Sequence, residues 1–497
     1  MSLVRSVLSA MGFAAPAWKG RRGLVAKFDS AQTGADNRKH FLNVDGLSAN
    51  AALSPEVRRI LRERARYEGA NSSYCDGMLD TLARSVVGVG PLIQCWLDSD
   101  EAAGATEDDN EKVENAFQAW AEEIDLAGKL LTASRAKVES GEVFIVLINN
   151  PKLESPVKLD LRLVEADQVA SPSFNGTTQD VDGIEYDAAG NPTFYWILKD
   201  HPGSGVITNL GQAKREAAAN VIHLFRAKRP GQGRGYPEIA AGIPLLAYQR
   251  RYELATVQAA ETAANAAAVF ETNASADDEG DEVAPLSTIP IERGTGMFLP
   301  FGYKVGQIKS EQPITSYVAY MGQLIRSFAR TLGLPFNIAA GDSSGYNYAS
   351  GRLDHQTFDE TLRIERAAIE RVVLRRVFKA WLAEGLLVRG HLPTTASRLA
   401  KDLSLVSWLW PSREHVDPVK NATADAINLE NGLTTRSAIL AKQRIRFRDN
   451  AKKLAAEKQY LARLGLSADV KQPVVQPDPQ DQQDQPPQAN GSYANAA

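Results

Sequence analysis

One string in this 497-residue chain has the residue types of a nucleophile. Gly341-Asp342-Ser343-Ser344-Gly345 fits G-x-S-x-G, in which a strained strand-to-helix turn exposes a serine hydroxyl to an acyl carbon. That chemistry needs a buried strand before the serine, and an acid and a histidine later in the chain. His355, His391 and His415 follow, but Gly333-Leu334-Pro335-Phe336-Asn337 is no such strand, and alternating βαβ units are absent. A Ser/Gly/Asn-rich flexible loop explains the string more simply. No G-x-x-x-x-G-K-[ST] string is present to cradle phosphates, and no H-E-x-x-H string or Cys/His cluster to hold a metal. The acidic run Asp277, Asp278, Glu279, Asp281 and Glu282 lacks the alternating ligand spacing of a calcium loop. The sequence therefore predicts no catalytic residue, no metal and no cofactor.

A second stretch could meet nucleic acid. Lys442 to Arg463 carries eight basic residues against Asp449 and Glu457. Arg444, Arg446, Arg448 and Lys452 are the candidates for phosphate contact. The other reading is a solvated helix face or a contact with an acidic neighbour. No interleaved aromatics suggest a platform for single strands.

Composition sets the frame for both. Net charge is −4, with 44% apolar and 23% charged residues, which suits two or three ordinary domains and no basic sheath. Cys75 and Cys95 are the only cysteines, too few for a disulfide framework. The longest apolar approach to a membrane span, Ile239 to Tyr248, stops at Gln249-Arg250-Arg251. With no clear signal-peptide core, the expectation is a soluble intracellular product without a membrane partner.

The elements that must carry these residues follow from periodicity and caps. Ser54-Pro55-Glu56 reads as a helix start, with Val57, Ile60 and Leu61 as its apolar side and arginines around it. Helical patterns cover 71–85, after which Val86-Val87-Gly88 turns β-like, and then 109–122 and 125–139. Strands are expected at 142–148 and 159–164, and a hairpin joins 184–186 to 193–198 across Asp187 to Pro192. From Tyr236 to about Glu271 the pattern is one helix, alanine-dense in its second half. It is either a buried helix or one packed against copies of itself. Helices at 314–332 and 351–385 flank a loop, and 418–465 is helical again. The fold class is α+β.

Several strings, in shared order, resemble the lambda-type portal family over most of the chain. They include Arg62-Glu63-Arg64-Ala65-Arg66, Asn71, Ser85 to Gly90, and Glu139 to Phe144. The most specific is His223-Leu224-Phe225 with Arg229-Pro230-Gly231-Gln232-Gly233-Arg234-Gly235-Tyr236-Pro237. Gly333-Leu334-Pro335, Asp342, Tyr346 to Arg352, Trp410-Pro411, Asp417-Pro418 and Asn431 to Thr435 complete the match. Gly351 departs from the serine or alanine usual there. The resemblance makes His223, Arg229, Gln232, Arg234, Gly235, Pro335 and Arg352 structural motif residues.

What the resemblance implies is a dodecameric ring at one capsid vertex, conducting double-stranded DNA during packaging and ejection and nucleating head assembly. Residues 1–45 would be an arm, 46–235 the wing, 236–271 and 314–334 the stem helices, and 272–313 the clip between them. Residues 335–350 would be a tunnel loop, 351–411 the long helix and wing return, 412–468 the crown, and 469–497 a disordered tail. In that loop Asn337, Asp342, Ser343, Ser344, Tyr346, Asn347, Tyr348 and Ser350 would face DNA. Implied partners are the terminase large subunit, on the acidic clip residues 277–282, the major capsid and scaffold proteins, and a head–tail adaptor. The implied place is the virion, after assembly in host cytoplasm. A conduit for any sequence must avoid reading bases and gripping phosphates, which suits a polar, nearly uncharged loop.

Two rivals from other classes are a phage serine hydrolase or maturation protease built on Ser343, and another ring component such as an adaptor or capsid subunit. Ser343→Ala separates the first: hydrolysis would be lost, whereas a conduit still assembles and packages, as phage complementation would show.

Overall fold

The computed structural model describes residues 39, 44–97, 106–171, 181–204, 213–264, 268–272, 303–307, 316–411 and 418–466. The expected tail and the acidic run at 277–282 lie outside them, as do most of the arm and of 272–313.

Ser54 accepts a hydrogen bond from the Val57 amide and Pro55 opens α1 (Pro55–Asn71), as its sequence dictates. The face it buries differs from the expected one: Arg58, Arg62, Ala65 and Glu68 go inside while Val57 is 40% exposed. Three arginines four residues apart, Arg58, Arg62 and Arg66, form a stripe along one side, and carboxylates beneath receive them. α2 (Ser73–Val87) continues through the expected β-like turn and stops at Gly88, whose φ is +56°. There a Cβ would meet Pro411 at 2.6 Å.

β1 (Leu92–Cys95) precedes α3 (Glu107–Glu123) and α4 (Leu126–Ser140). The strands β2 (Glu142–Asn149), β3 (Leu159–Val164), β4 (Ile184–Tyr186), β5 (Pro192–Leu198), β6 (Ala213–Ala217) and β7 (Val221–Phe225) follow. They form two antiparallel sheets, β3-β2-β7 and β4-β5-β6. The β4–β5 hairpin lies where turn chemistry places it, with Asp187 Oδ1 accepting from the Ala189 and Asn191 amides at 2.9 and 2.7 Å.

The expected helix over 236–271 is shorter. After a 3-10 turn at Glu238–Ala241, α5 spans Ile243–Ala264, about 33 Å at 1.5 Å per residue. Ala268–Thr272 is β8, paired antiparallel with β9 (Tyr303–Gln307). Val269, Phe270 and Thr272 favour a strand once a partner strand is available, and tertiary pairing outweighs the helical run before them. Next come α6 (Ser316–Leu332), the short α7 (Phe336–Ala340) and α8 (Tyr348–Ile369). A π turn at Glu370–Leu374 joins α8 to α9 (Arg375–Gly385), so the expected 351–385 helix is one rod with an internal irregularity.

That rod supplies the centre of the core. Phe378 and Trp381 of α9 meet Phe117 and Trp120 of α3, with Phe117–Trp381 centroids 5.1 Å apart in an edge-to-face pair. The Trp120 indole donates to the Leu159 carbonyl at 2.8 Å, tying this cluster to β3. β10 (Val406–Leu409) then pairs with β1, Leu92 opposite Leu409, closing the chain over three hundred residues.

The other edge of β1 faces no strand among the described residues, and side chains satisfy it. Asn110 and Glu114 of α3 accept from the Leu97 and Cys95 amides at 2.8 and 2.6 Å. Arg444, Arg446 and Arg448 donate to the carbonyls of Gly90, Ile93 and Cys95 at 2.7, 2.9 and 3.0 Å. Arg446 and Arg448, two residues apart, reach carbonyls two residues apart in the strand, and Arg444 reaches the backbone just ahead of it. Helices α10 (Pro418–Glu430), α11 (Arg436–Lys442) and α12 (Phe447–Arg463) bury none of their own residues; Arg444 and Arg446 lie in the link between α11 and α12, and Arg448 in the first turn of α12. This takes buried Arg446 out of the phosphate-contact reading, while Lys452 stays at the surface. Arg446 is buried against Glu114 at 3.3 Å, Arg448 covers Trp96, and Lys452 pairs with Glu111 at 2.6 Å. An unpaired strand edge needed donors more than the solvent did.

Arg446→Ala leaves the buried Glu114 carboxylate and the Ile93 carbonyl without this donor. We expect a loss of about 3–5 kcal/mol in denaturant unfolding, whereas removal of a mere phosphate contact would leave stability unchanged.

Candidate functional site

The polar stretch 335–350 is more ordered than a loop. Pro335 precedes α7 without a side-chain cap, and Gly341 ends it in the left-handed region at φ +65°. The Asp342 amide donates to the Asn337 carbonyl at 3.1 Å, and the Asp342 side chain accepts from the Ser344 amide at 2.9 Å. Bonds to Ser344 hold the exposed Asp342 carboxyl below its ordinary value. Tyr346 returns its amide to the Ser343 carbonyl at 3.1 Å. Asn347 and Ser350 then cap α8 reciprocally, at 2.8 and 3.2 Å.

Five of the eight residues assigned to a DNA-facing role are exposed: Asp342, Ser343, Ser344, Asn347 and Ser350. Arg352, at the next turn, is exposed too. Asn337 is a correction: it is buried in α7, with its amide 3.4 Å from His355 Nε2. A carboxamide there satisfies helix ends, which explains its polarity without DNA. Tyr346 is half-buried, its hydroxyl on the Asp354 carboxylate; burial first, and then this bond, raise its pKa above the usual phenol range. Of Tyr348 only the backbone is described. Ser343 follows a helix instead of a strand, and no histidine bonds to it among the described residues, so the nucleophile geometry is missing.

What positions this stretch is the rod behind it. Lys137 of α4, itself buried, pairs with Glu365 of α8 and lies 3.2 Å from Glu238. Arg366 donates to the carbonyls of Val86, Ser85 and Pro411 at 2.8, 2.9 and 2.8 Å.

The motif residues converge on one carboxylate that sequence reasoning did not single out. Glu142, at the start of β2, is fully buried. Arg234 donates to it from Nη2 at 2.7 Å and from Nε at 3.0 Å. The Gly235 amide adds a bond at 2.7 Å, and His223 Nε2 one at 2.9 Å. Arg234 also donates to the carbonyls of Val169, Ala166 and Asp182, and Arg58 pairs with Asp182. Gln232 accepts from the Lys228 amide at 2.9 Å and donates to the Arg234 carbonyl at 2.8 Å, while Arg229 donates to the Leu47 carbonyl at 2.9 Å. The loop's glycines are steric requirements: a Cβ at Gly235 would lie 2.1 Å from the Gly141 carbonyl oxygen. The signal that could have found the network is the four-residue spacing of Arg58, Arg62 and Arg66.

Burial favours a neutral Glu142, but Arg234 and His223 outweigh it and hold the carboxyl well below the usual range. Burial pushes His223 down, despite Glu142, so the ring is neutral and donates its Nε2 proton. His223 also stacks between Phe144 and Phe225, at 4.3 and 4.2 Å.

Glu165, Asp167 and His201 also bring ligand-type atoms together. Asp167 is already taken by Arg62 and Arg66, at 2.9 and 2.7 Å. His201 Nδ1 accepts from the Gly203 amide at 2.9 Å, which puts the neutral ring's proton on Nε2, toward the carboxylates. In that tautomer the His201 ring offers no lone pair on the carboxylate side.

A family model described as "Phage portal protein, lambda family" matches residues 36–366. A "Probable portal protein" of Halomonas phage phiHAP-1 is 25% identical over 460 residues, covering 87% of each chain. Among solved structures, a chain in the neck of an empty GTA particle matches with TM-score 0.42 and 14% identity, over 80% of this chain and 95% of that one. A chain in the virion of a native gene transfer agent particle matches with TM-score 0.39, the same identity and the same coverage.

Glu142→Gln keeps the shape and removes the charge that Arg234 and Arg58 face; we expect a loss of about 3–5 kcal/mol in denaturant unfolding. Both lowered groups leave the unfolded chain binding more protons, so stability rises with pH across each window. On acidification it should begin to fall near pH ~6.5, through His223, and fall further across the carboxylate range, through Glu142. A midpoint constant from pH 8 to 5 would contradict this.

Proposed function

This chain belongs to the lambda family of phage portal proteins, and we propose that about twelve copies close into a ring at one capsid vertex and conduct double-stranded DNA. The observation that carries the reading is the stretch Gly341–Asn347: exposed, polar, and mounted at the end of a rigid rod. From Phe336 to Gly351 it contains no lysine or arginine. Such a surface can line a channel without holding the phosphates that pass it.

The parts fit that plan. The two sheets with α1–α4 and α9 would form the wing, α5 and α6 the stem, and β8–β9 the root of the clip. Exposed Tyr248, Leu254 and Val257 on α5, and Val318 on α6, would pack against neighbouring copies. So would Val419, Ile427, Leu454 and Tyr460 on α10 and α12, the crown of this reading. Asp277, Asp278, Glu279, Asp281 and Glu282 are outside the described residues and are kept as the surface for the terminase large subunit. Major capsid and scaffold proteins and a head–tail adaptor complete the proposed partners, with assembly in host cytoplasm. The chain's part is structural, without catalytic residues, and translocation would be powered by the terminase.

Native mass spectrometry with negative-stain microscopy at moderate salt tests this. Closed rings of about twelve subunits with an open centre are expected, and Ser343→Lys with Ser344→Lys should make them retain DNA in a salt-dependent way. A stable monomer or dimer at micromolar concentration, unable to complement packaging, would overturn it.

A further inference from the structure

Beside the Glu142 network, between the β4–β5 hairpin, β7 and the Arg229–Gly235 loop, lies a cavity of about 600 Å³. Tyr186, Pro192, Tyr195, His223, Phe225 and Arg376 contribute to its wall. Most polar atoms there are committed. Arg376 donates to the carbonyls of Ala218, Ala219 and Val221 at 2.7, 3.0 and 2.9 Å, and the Tyr186 hydroxyl to that of Gly233 at 3.3 Å. His223 is engaged by Glu142. Tyr195 is 3% exposed, and its ring lies edge-on to Phe144 with centroids 5.8 Å apart. A hollow whose wall includes Tyr186, Pro192, Tyr195 and Phe225, with polar side chains committed to other partners, suits an apolar side chain.

The chain itself brings such a segment to the rim. The continuous described chain begins at Val44, and Leu47 is held by Arg229 of the cavity's own loop. Asn50 is part of the wall, its amide donating to the Gly231 carbonyl at 3.0 Å and accepting from the Gly233 amide at 2.9 Å. Phe41 and Leu42 lie six and five positions before Leu47. Six extended residues reach about 20 Å, enough to return to the hollow. We propose that the N-terminal segment of the same chain docks here through Phe41 and Leu42. The occupant is this chain's segment 1–43, and the cavity is its receptor.

Photo-crosslinking of the full chain tests it, with Ala188, an exposed wall residue outside both networks, replaced by p-benzoylphenylalanine. Fragment mass spectrometry should place the adduct within residues 1–43, centred on Phe41 and Leu42. Phe41→Ser with Leu42→Ser, two positions before the continuous described chain, should cut the yield about tenfold or more. No adduct, an adduct confined to residues 44–497 or to another protein, or an unchanged yield in the double variant would each overturn the proposal. The readout needs neither ring nor DNA, so a failure here leaves the portal assignment standing.

Discussion

A single buried carboxylate, Glu142, fixes how this chain's mixed domain can close. Three donors meet there, Arg234 and the Gly235 amide of the motif loop and His223 of β7, and Arg58 of α1 adds its charge at 3.8 Å. None of these groups can be buried alone, because an unpaired charge in the interior costs several kcal/mol. Each is therefore tolerated only when the others are in place. The close approach of Gly141 and Gly235 follows from the same constraint, since the amide must reach the carboxylate across a backbone contact with no room for a Cβ. Such an arrangement is weak evidence of great stability. It is better understood as a device that makes one register of β2, β7 and the loop much better than any other.

From that junction, position passes outward through polar ties across apolar packing. The Lys137 ammonium links α4 to the 3-10 turn before α5 and to α8 through Glu238 and Glu365. Arg366 fastens α8 to the end of α2 and to Pro411. The α8–α9 rod is thus held at its middle by charges and at its far end by the Phe117–Trp120–Phe378–Trp381 cluster. Its near end carries Gly341–Asn347. A polar surface on so constrained a mount differs from a free loop: Asn337 and Tyr346 hold it, and the serines and Asp342 are what it presents.

Arginine is used here mostly as a backbone cap. Arg376, Arg366, Arg444, Arg446 and Arg448 all donate to main-chain carbonyls at strand edges, turns or helix ends. Its several fixed donors can satisfy more than one carbonyl at once, which lysine's point charge cannot do with the same geometry. A cluster of arginines in a nucleic-acid-handling family need not touch nucleic acid.

The sequence by itself determined the local elements and the family. Caps at Ser54, turn chemistry at Asp187, alternation in β3 and the apolar period of the long rod are short-range signals, and the structure repeats them. The ordered motif strings identified the portal family because their residues answer local steric and hydrogen-bonding demands, as Gly235 and Gln232 show. What only the tertiary structure decided is which polar groups face inward. α1 buries its arginines instead of Val57 because Asp167, Asp182 and Glu142, distant in sequence, arrive beneath it. The helix from Ile243 ends at Ala264, and a strand follows at Ala268 because a partner strand more than thirty residues onward is there to receive it. Arg446 leaves solvent because β1 has an open edge. In each case the deciding energy is the desolvation of a charge or a backbone group, and its sign depends on a partner that no local window contains.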